Sequence, residues 1–294
     1  MKLEIILVTF YAVEPSKIKG KIVVRKTDRE LQINPKKLGE IKICIPLAVS
    51  EQKAIAATLS TFDTHIDNLT ALIEKKKSIR DGALADLMSG RTRLDGFSGE
   101  WEETTLGKIG EFIKGASLSK MDISNAGTPF ILYGELYTTY KEVTYKVYRY
   151  TQKNVDEVFH SQVGDVIIPT SGETAEEIAT ACCVMLPGVI LAGDLNIYRA
   201  KEADGRFISY SINHIINKKI SEIAQGISIV HIKANELKKI ELMLPAIDEQ
   251  RAIVEIIGSM DTEIQNLEAE RDKFMQIREG AMDDLLTGRV RLPM

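Results

Sequence analysis

The chain has 294 residues, of which 44% are hydrophobic and 27% are charged, and its formal net charge at pH 7 is −4. These values predict one or two folded domains, and they give no overall electrostatic reason to expect nucleic-acid binding, so any DNA contact must come from a local patch. The three cysteines, Cys44, Cys182 and Cys183, lack metal-ligand spacing and exclude the disulfide framework of small secreted domains. We therefore expect them to be reduced and mostly buried in a cytoplasmic protein.

The N-terminal sequence MKLEIILVTFYAV is a short apolar run that Glu4 interrupts. The interruption favours a buried strand over a signal peptide. No other stretch approaches the ~20 apolar residues that a membrane-spanning helix needs. The sequence therefore predicts no contact with a membrane.

Residues 51–94 recur at 249–292, with 21 of 44 positions identical and no gap. In both copies apolar residues recur at alternating intervals of four and three, which places a narrow stripe along one side of a helix and is typical of a coiled coil. The alternative is two unrelated amphipathic helices on a globular core, but such helices have no reason to share caps, seam and exit sequence. The predicted interface residues are Ile55, Leu59, Phe62, Ile66, Leu69, Ile253, Ile257, Met260, Ile264 and Leu267.

Start and stop signals agree between the copies. Prolines precede both helices, Ser50 and Asp248 occupy the predicted N-cap positions, and a glycine follows the last apolar residue of each. The predicted helices, 51–88 and 249–286, would each be ~57 Å long. Gly82 and Gly280 inside them indicate either a close helix approach or a kink, and the sequence does not decide between these.

Between the copies the periodicity becomes mixed. Short apolar runs at 129–134, 164–172 and 189–199 predict strands, and residues 204–226 have helical spacing. The insert is therefore predicted to be an α+β domain of ordinary size.

Tyrosines and basic residues are concentrated in one part of this insert. Six of the nine tyrosines lie between residues 133 and 150, and residues 140–153 contain four basic residues against the single acid Glu142. Basic groups among aromatic rings are typical of a surface that follows DNA phosphates, whereas the alternative is an exposed strand from Val143 to Tyr150. The candidate DNA-binding residues are Tyr137, Tyr140, Lys141, Tyr145, Lys146 and Arg149.

Two further segments carry short polar side chains that can pair with base edges. Each residue alone is also typical of an ordinary turn or cap. Residues 95–245 contain 15 basic and 20 acidic side chains, which predicts weak DNA binding by the domain alone and phosphate contacts supplied by other polypeptides. The candidate residues are Thr170, Ser171, Glu173 and Thr174 in the first segment and Gln225, Ser228 and His231 in the second.

The sequence lacks motifs for catalysis. It has no glycine-rich dinucleotide motif, no P-loop, no zinc-protease motif and no Asn-Pro-Pro-aromatic tetrapeptide of amino-methyltransferases, and its four histidines are scattered. We therefore expect no enzyme activity, no catalytic residue, no metal and no cofactor in this chain.

Several short motifs together resemble the specificity subunit of type I restriction–modification systems. They are the EQ-x-A-I helix openings after a proline, the D-x-x-I-x-x-L seam, the G-R-x-R-L exits and the EW…LG-x-I start of the insert. The resemblance covers residues from about 32 to the end. It implies a mixed α/β target-recognition domain at 95–246, flanked by helical regions at 49–94 and 247–294 that pair as an antiparallel coiled coil.

The resemblance also implies partners. These are double-stranded DNA, methyltransferase subunits docked on the helices, and restriction subunits joined through the complex, with S-adenosylmethionine expected only in the methyltransferase subunit. Residues 1–48 resemble the remnant of a first recognition domain, because the stretch from Leu38 to Pro46 matches that from Leu237 to Pro245.

The short remnant leaves three alternatives open. A monomer would read half of a split DNA site, a homodimer would favour a palindromic split site, and a silent cassette would only donate its recognition sequence by recombination. A rival from another class is a coiled-coil interaction adaptor that does not bind DNA, which the acidic balance of the insert favours. A sequence-specific nuclease or methylase is a third possibility that no motif supports.

Overall fold

A computed structural model describes residues 46–224, 226 and 230–292. The predicted N-terminal strand, Cys44 and nearly all of the remnant at 1–48 lie outside the described residues, as do Gln225 and Ser228. Within the described ranges, no helix is both long and apolar enough to cross a membrane.

The described residues form two long helices around an insert of strands and short helices. The helices are α1 (Val49–Met88), α2 (Leu106–Ile109), α3 (Ala175–Ile178), α4 (Gly205–His214), α5 (Asn217–Ile223), α6 (Ala234–Leu237) and α7 (Ile247–Leu286). The strands are β1 (Glu102–Thr105), β2 (Gly110–Lys114), β3 (Thr128–Leu132), β4 (Val143–Thr144), β5 (Arg149–Thr151), β6 (Asp165–Pro169), β7 (Ser171–Gly172), β8 (Cys182–Val184), β9 (Ile190–Ala192), β10 (Leu195–Ala200), β11 (Val230–His231) and β12 (Glu241–Leu244).

The chain divides into two compact units, and both contain parts of α1 and α7. The domain unit comprises residues 79–261 and includes the whole insert. The helical unit comprises, among the described residues, 46–78 and 262–292.

The long helices pair antiparallel in both units. In the domain unit Leu84 near the end of α1 packs in one cluster with Ile257 near the start of α7. In the helical unit Ile55 and Leu59 pack with Leu285 from the other end of α7. The predicted fold class, a mixed α/β domain flanked by an antiparallel helix pair, is confirmed.

The predicted seam follows the buried side of both helices. Among its members, Ile55, Leu59, Leu69, Ile253, Ile257 and Ile264 are buried, whereas Phe62, Ile66, Met260 and Leu267 are half-buried. Apolar residues at alternating spacing thus form the buried stripe that coiled-coil packing requires.

The predicted N-caps are wrong by two residues. The first acceptors are the carbonyl oxygens of Ala48 and Ala246, each of which accepts the amide N–H groups of residues three and four positions later. Ser50 and Asp248 therefore lie inside the first turn. Gln52 and Gln250 hold the turns instead, because their Nε2 groups donate to the carbonyl oxygens of Pro46 and Pro245, both at 2.7 Å.

Glycines end both long helices and also occur inside them. Gly90 and Gly288 follow α1 and α7 with φ of 70° and 74°, a left-handed conformation that glycine adopts at least cost. At Gly82 and Gly280 an added Cβ would meet no atom within 4 Å. A close helix approach therefore does not explain the two internal glycines.

A five-stranded sheet in the order β2-β10-β6-β8-β4 forms the centre of the insert. Neighbouring strands are antiparallel except β4 and β8, which are parallel. A three-stranded sheet in the order β5-β3-β9 and two-stranded pairs β1-β12 and β7-β11 complete it. The antiparallel pairing of β1 with β12 places the beginning and end of the insert side by side.

The predicted apolar runs correspond to β3, to β6 with β7, and to β9 with β10. The predicted helix at 204–226 is instead two helices, because Ile216 has φ −107° and ψ 5°, which are not helical values. Cys182 and Cys183 lie fully buried on β8, where burial raises the pKa of both thiols. Both are free thiols, as predicted.

Candidate nucleic-acid interface

Several strands of the central sheet end together at one edge of the insert, which we call the loop end of the sheet. The antiparallel register pairs Leu195 with Pro169 and Asn196 with Lys114. The C-terminal ends of β2 and β6 therefore lie beside the N-terminal end of β10. The segment after β6, residues 170–174, emerges here, and we call it the reader loop.

The loop end brings together candidates that are far apart in sequence. The Tyr137 hydroxyl donates to the Ser171 carbonyl oxygen at 2.9 Å, and His231 pairs with Ser171 across β7 and β11. The Thr170 amide donates to the Asp194 carbonyl oxygen at 2.8 Å, and the Ser171 hydroxyl lies 3.3 Å from Asp194 Oδ2. One edge thus carries a phenol, hydroxyls, an imidazole and carboxylates, which can donate to and accept from base edges.

Exposure differs among these side chains. Glu173, Thr174 and His231 are exposed, Thr170 and Tyr137 are half-buried, and Ser171 is buried. Burial raises the pKa of the Tyr137 phenol, so the hydroxyl stays a donor and positions the loop. Thr174 Oγ1 accepts the Glu177 amide at 3.1 Å, which is the capping role that its residue type also predicted.

The tyrosine- and lysine-rich stretch does not form one surface with the reader loop. Lys141, Tyr145 and Lys146 are exposed. However, β4 runs parallel to β8, which is antiparallel to β6, so Tyr145 and Lys146 follow β4 at the end of the sheet opposite to Thr170. They remain predicted phosphate contacts on a separate part of the insert.

Two members of that stretch have structural roles instead. Tyr140 is buried in a core cluster with Leu136 and Val184, so its ring is not available to DNA. Arg149 Nε donates to Glu135 Oε1 at 2.8 Å, and Glu135 Oε2 accepts the Leu132 amide at 3.0 Å. The alternative of one exposed strand from Val143 to Tyr150 is also wrong, because β4 and β5 belong to different sheets.

A polar network of mostly half-buried side chains holds the insert to the two long helices within the domain unit. Arg80 on α1 donates through Nε to Asp261 on α7 at 2.8 Å and through Nη2 to Glu142 at 3.3 Å. Tyr210 donates to Asp261 Oδ2 at 2.6 Å, and His214 Nε2 lies 2.7 Å from Glu142 Oε1. We call these five residues the clamp.

The clamp stabilises the ionised form of its carboxylate. Burial alone raises the pKa of Glu142, but the hydrogen bond from His214 and the charge of Arg80 outweigh it and lower the pKa to about 2. The prediction from sequence missed these residues. The sequence does mark two of them, because Arg80 and Asp261 are identical to Arg278 and Asp63 in the other copy of the repeat.

A second ion pair joins the exit of α1 to the first turn of α7. Arg93 donates to both carboxylate oxygens of Glu249, at 2.6 and 2.7 Å. The Arg93 guanidinium also lies 5.9 Å from the centre of the Trp101 ring, a cation–π distance. Among the described residues, no group of three or more His, Cys, Asp or Glu side chains could hold a metal ion.

Comparison with known proteins places the chain in a family. Residues 98–273 match the family described as "Type I restriction modification DNA specificity domain". The Type I restriction enzyme MjaVIII specificity subunit of Methanocaldococcus jannaschii is 22% identical over 281 residues, which cover 88% of this chain and 64% of that protein. The chain spans the same 64% of the putative MjaX specificity subunit from the same organism, to which it is 25% identical over 289 residues.

Solved structures share the fold. The type I restriction–modification system S subunit from M. genitalium has a TM-score of 0.54 at 20% identity and covers 81% of this chain and 61% of its own. The HsdS subunit from Thermoanaerobacter tengcongensis has a TM-score of 0.50 at 16% identity, covering 82% and 59%. The relatives are specificity subunits, which agrees with the expectation that this chain is not itself an enzyme. With more than half of its residues matched, the chain belongs to the type I restriction–modification DNA specificity family.

Proposed function

We propose that the chain is a non-catalytic DNA-recognition and scaffold subunit of a type I restriction–modification complex. The insert at 95–246 reads one half of a split DNA site, and the helical regions at 49–94 and 247–294 dock methyltransferase subunits. Restriction subunits join through that complex, and S-adenosylmethionine binds in the methyltransferase. The stretch from Leu38 to Pro46 corresponds in sequence to the end of a recognition domain, as the stretch from Leu237 to Pro245 does.

This proposal rests on the polar side chains at the loop end of the sheet, together with the membership of the chain in this family. Exposed or half-buried Thr170, Glu173 and His231 project from backbone that is fixed by strand pairing and by the Tyr137 hydroxyl. Polar side chains on rigid backbone suit recognition of base edges in the major groove. Gln225 and Ser228 are proposed to extend this surface, while Lys141, Tyr145 and Lys146 contact phosphates.

Enrichment from a randomised duplex library tests DNA reading directly. The full chain, purified with its methyltransferase partner, should enrich one defined sequence. Glu173→Ala with His231→Ala should change or abolish that sequence, whereas Lys141→Ala with Lys146→Ala should weaken binding to all sequences alike and leave the enriched sequence unchanged. Failure to enrich any sequence, or failure of the partner to co-purify, would refute the proposed function.

The number of readers in the assembly is part of the proposal. One recognition domain lies in the described residues of this chain, and a second copy of the chain would supply a reader for the other half of a split site. A homodimer would enrich a palindromic split sequence because its two readers are identical. Light scattering gives the number of copies of the chain in the complex, and the symmetry of the enriched sequence shows whether two identical readers bind it. A monomer that enriches a single half-site would exclude the dimer.

A coiled-coil adaptor remains the second candidate, favoured by the surplus of acidic over basic residues at 95–245. It predicts co-purification with a protein partner without any enrichment of DNA. A silent cassette predicts neither result.

A further inference from the structure

A cleft of about 670 Å³ opens at the loop end of the sheet, beside the reader loop. One wall is the segment from Lys114 to Lys120, and the other is the turn from Tyr133 to Thr138. Asp194 also lines the cleft and contacts the reader loop through Thr170 and Ser171. The cleft and the proposed base-reading surface are therefore adjacent.

Both walls of the cleft are fixed. The amides of Gly115 and Ala116 donate to the carbonyl oxygens of Leu195 and Leu191, at 2.9 and 2.8 Å. The opposite turn is held by the buried carboxylate of Glu135, which accepts from the Leu132 amide and from Arg149. A ligand would meet a preformed cleft and would lose little affinity to ordering it.

Three basic side chains, Lys114, Lys120 and Arg149, line the cleft together with two acidic ones, Glu135 and Asp194. Glu135 is neutralised by Arg149, whereas no described residue forms an ion pair with the ammonium group of Lys114 or Lys120. These lysines flank the sequence Gly-Ala-Ser-Leu-Ser, in which Ser117 is exposed. The lining also includes the apolar Leu118 and Leu132. Cations beside apolar side chains suit a phosphate together with its sugar.

We expect lysines to make the phosphate contacts here, because each arginine of the insert already forms an ion pair. Its three arginines, Arg149, Arg199 and Arg206, form ion pairs with Glu135, Asp165 and Asp204, respectively. Phosphate contacts from the insert must therefore come mainly from lysines at the right place. Lys114 and Lys120 are at the loop end, where DNA held by the reader loop would pass.

We infer that this cleft holds the DNA backbone next to the bases contacted by the reader loop, with Lys114 and Lys120 binding its phosphates. The inference rests on the proposed function and extends it to residues outside the tyrosine- and lysine-rich stretch. Phosphate contacts fix the register of a protein on DNA without selecting sequence. The two lysines would thus position the duplex for the loop.

Salt dependence of binding to a random-sequence 30-base-pair duplex tests the inference without knowledge of the target. For the full chain with its methyltransferase partner, Kd is measured by fluorescence anisotropy between 50 and 200 mM salt. Lys114→Ala with Lys120→Ala should reduce the slope of log Kd against log salt by about 1.8, or ~0.9 per lost phosphate contact. Lys114→Arg with Lys120→Arg should restore the slope.

The matched control is Lys108→Ala with Lys238→Ala, which removes the same charge from two exposed lysines that form no ion pair with a described residue. Lys108 precedes β2, whose Gly110 pairs with Ala200 at the opposite end of the sheet, and the Lys238 carbonyl oxygen accepts the Gly107 amide there at 3.0 Å. This control should leave the slope unchanged. An equal loss of slope in control and test variants, or no loss in the test variant while the unmodified chain binds, overturns the inference and leaves the proposed function standing. An unmodified complex that binds no duplex refutes both.

Discussion

The two ends of the long helix pair are made from the same repeated sequence, yet their ion pairs differ in burial. In the domain unit the side chains of Arg80 and Asp261 are 12% and 25% exposed. Their counterparts in the helical unit, Arg278 and Asp63, also pair with each other but are 31% and 32% exposed. The repeat therefore determines which residues pair, whereas the recognition domain determines how far one of the pairs is removed from water.

The second ion pair shows the same difference. Glu249 and Glu51 are both almost fully buried, but the arginine that binds Glu249 is 27% exposed and the arginine that binds Glu51 is 69% exposed. Ion pairs in water contribute little to stability, whereas breaking a buried pair leaves a charge without its partner. Equivalent substitutions at the two ends should thus have unequal effects.

The largest effect is expected for Phe207→Ala. Phe207 is fully buried on α4 and packs in one cluster with Leu84 and Ile253 of the long helices. Its loss should lower the free energy of unfolding by about 3–5 kcal/mol. Urea unfolding followed by the fluorescence of Trp101, the only tryptophan in the chain, measures it. Phe207→Leu should cost less than ~1.5 kcal/mol, and a loss below that in the alanine variant would contradict this packing.

Asp261→Asn and Asp63→Asn compare the two ends directly. Asp261 accepts from both Arg80 and Tyr210 in a largely buried setting, so its neutralisation should cost about 3 kcal/mol. Asp63→Asn should cost less than about 1 kcal/mol because its pair is more exposed. Urea midpoints of the two variants measure the difference, and equal losses would refute the role given to burial by the domain.

The clamp also predicts acid sensitivity. The folded-state pKa of Glu142 is lowered from 4.5 to about 2, so its contribution to stability is present above pH 4.5 and is lost as the pH falls from 4.5 towards 2. We expect that contribution to be about 3 kcal/mol at neutral pH. Glu142→Gln should lower the urea midpoint at pH 7 and approach the unmodified chain at pH 2.5. A difference that stays constant over this range would contradict the lowered pKa.

The smallest contrast concerns the glutamines that hold the helix starts. Gln250 donates to the Pro245 carbonyl oxygen and also accepts the Asp204 amide at 2.9 Å, whereas Gln52 donates to the carbonyl oxygen of Pro46. Gln250→Ala should cost about 2 kcal/mol and Gln52→Ala about 1 kcal/mol. Thermal unfolding of both variants measures the ratio. A larger loss at Gln52 would show that the helix cap, and not the bond to the domain, is the dominant contribution.

Local and repeated features were predictable from the sequence. The periodicity predicts the seam from Ile55 to Leu69 and the strands around Ile131, Ile167 and Ile197. Spacing along the chain is sufficient for this, because it determines on which face of a helix or strand each side chain lies. The predicted helix starts were two residues too late. A glutamine side chain holds each start by donating to a proline carbonyl oxygen, and this hydrogen bond is not among the known capping motifs.

The site was predictable only in part. Thr170 and His231 carry suitable chemistry, but their proximity depends on the pairing of β7 with β11, which sequence spacing does not reveal. The split of the tyrosine-rich stretch and the burial of Tyr140 likewise depend on which sheet each short strand joins. Lys114 escaped notice because the cleft is formed by segments that are brought together only by tertiary structure.

The side-by-side placement of β1 and β12 has a consequence for how such chains diversify. Since the insert leaves and rejoins the helices through two adjacent strands, the gap that it must bridge does not depend on its size or internal arrangement. Substitutions, insertions or exchange of whole segments between these strands can change what is recognised without altering the length or register of the helices. The sequence between β1 and β12 can therefore change while the helix pair keeps its length.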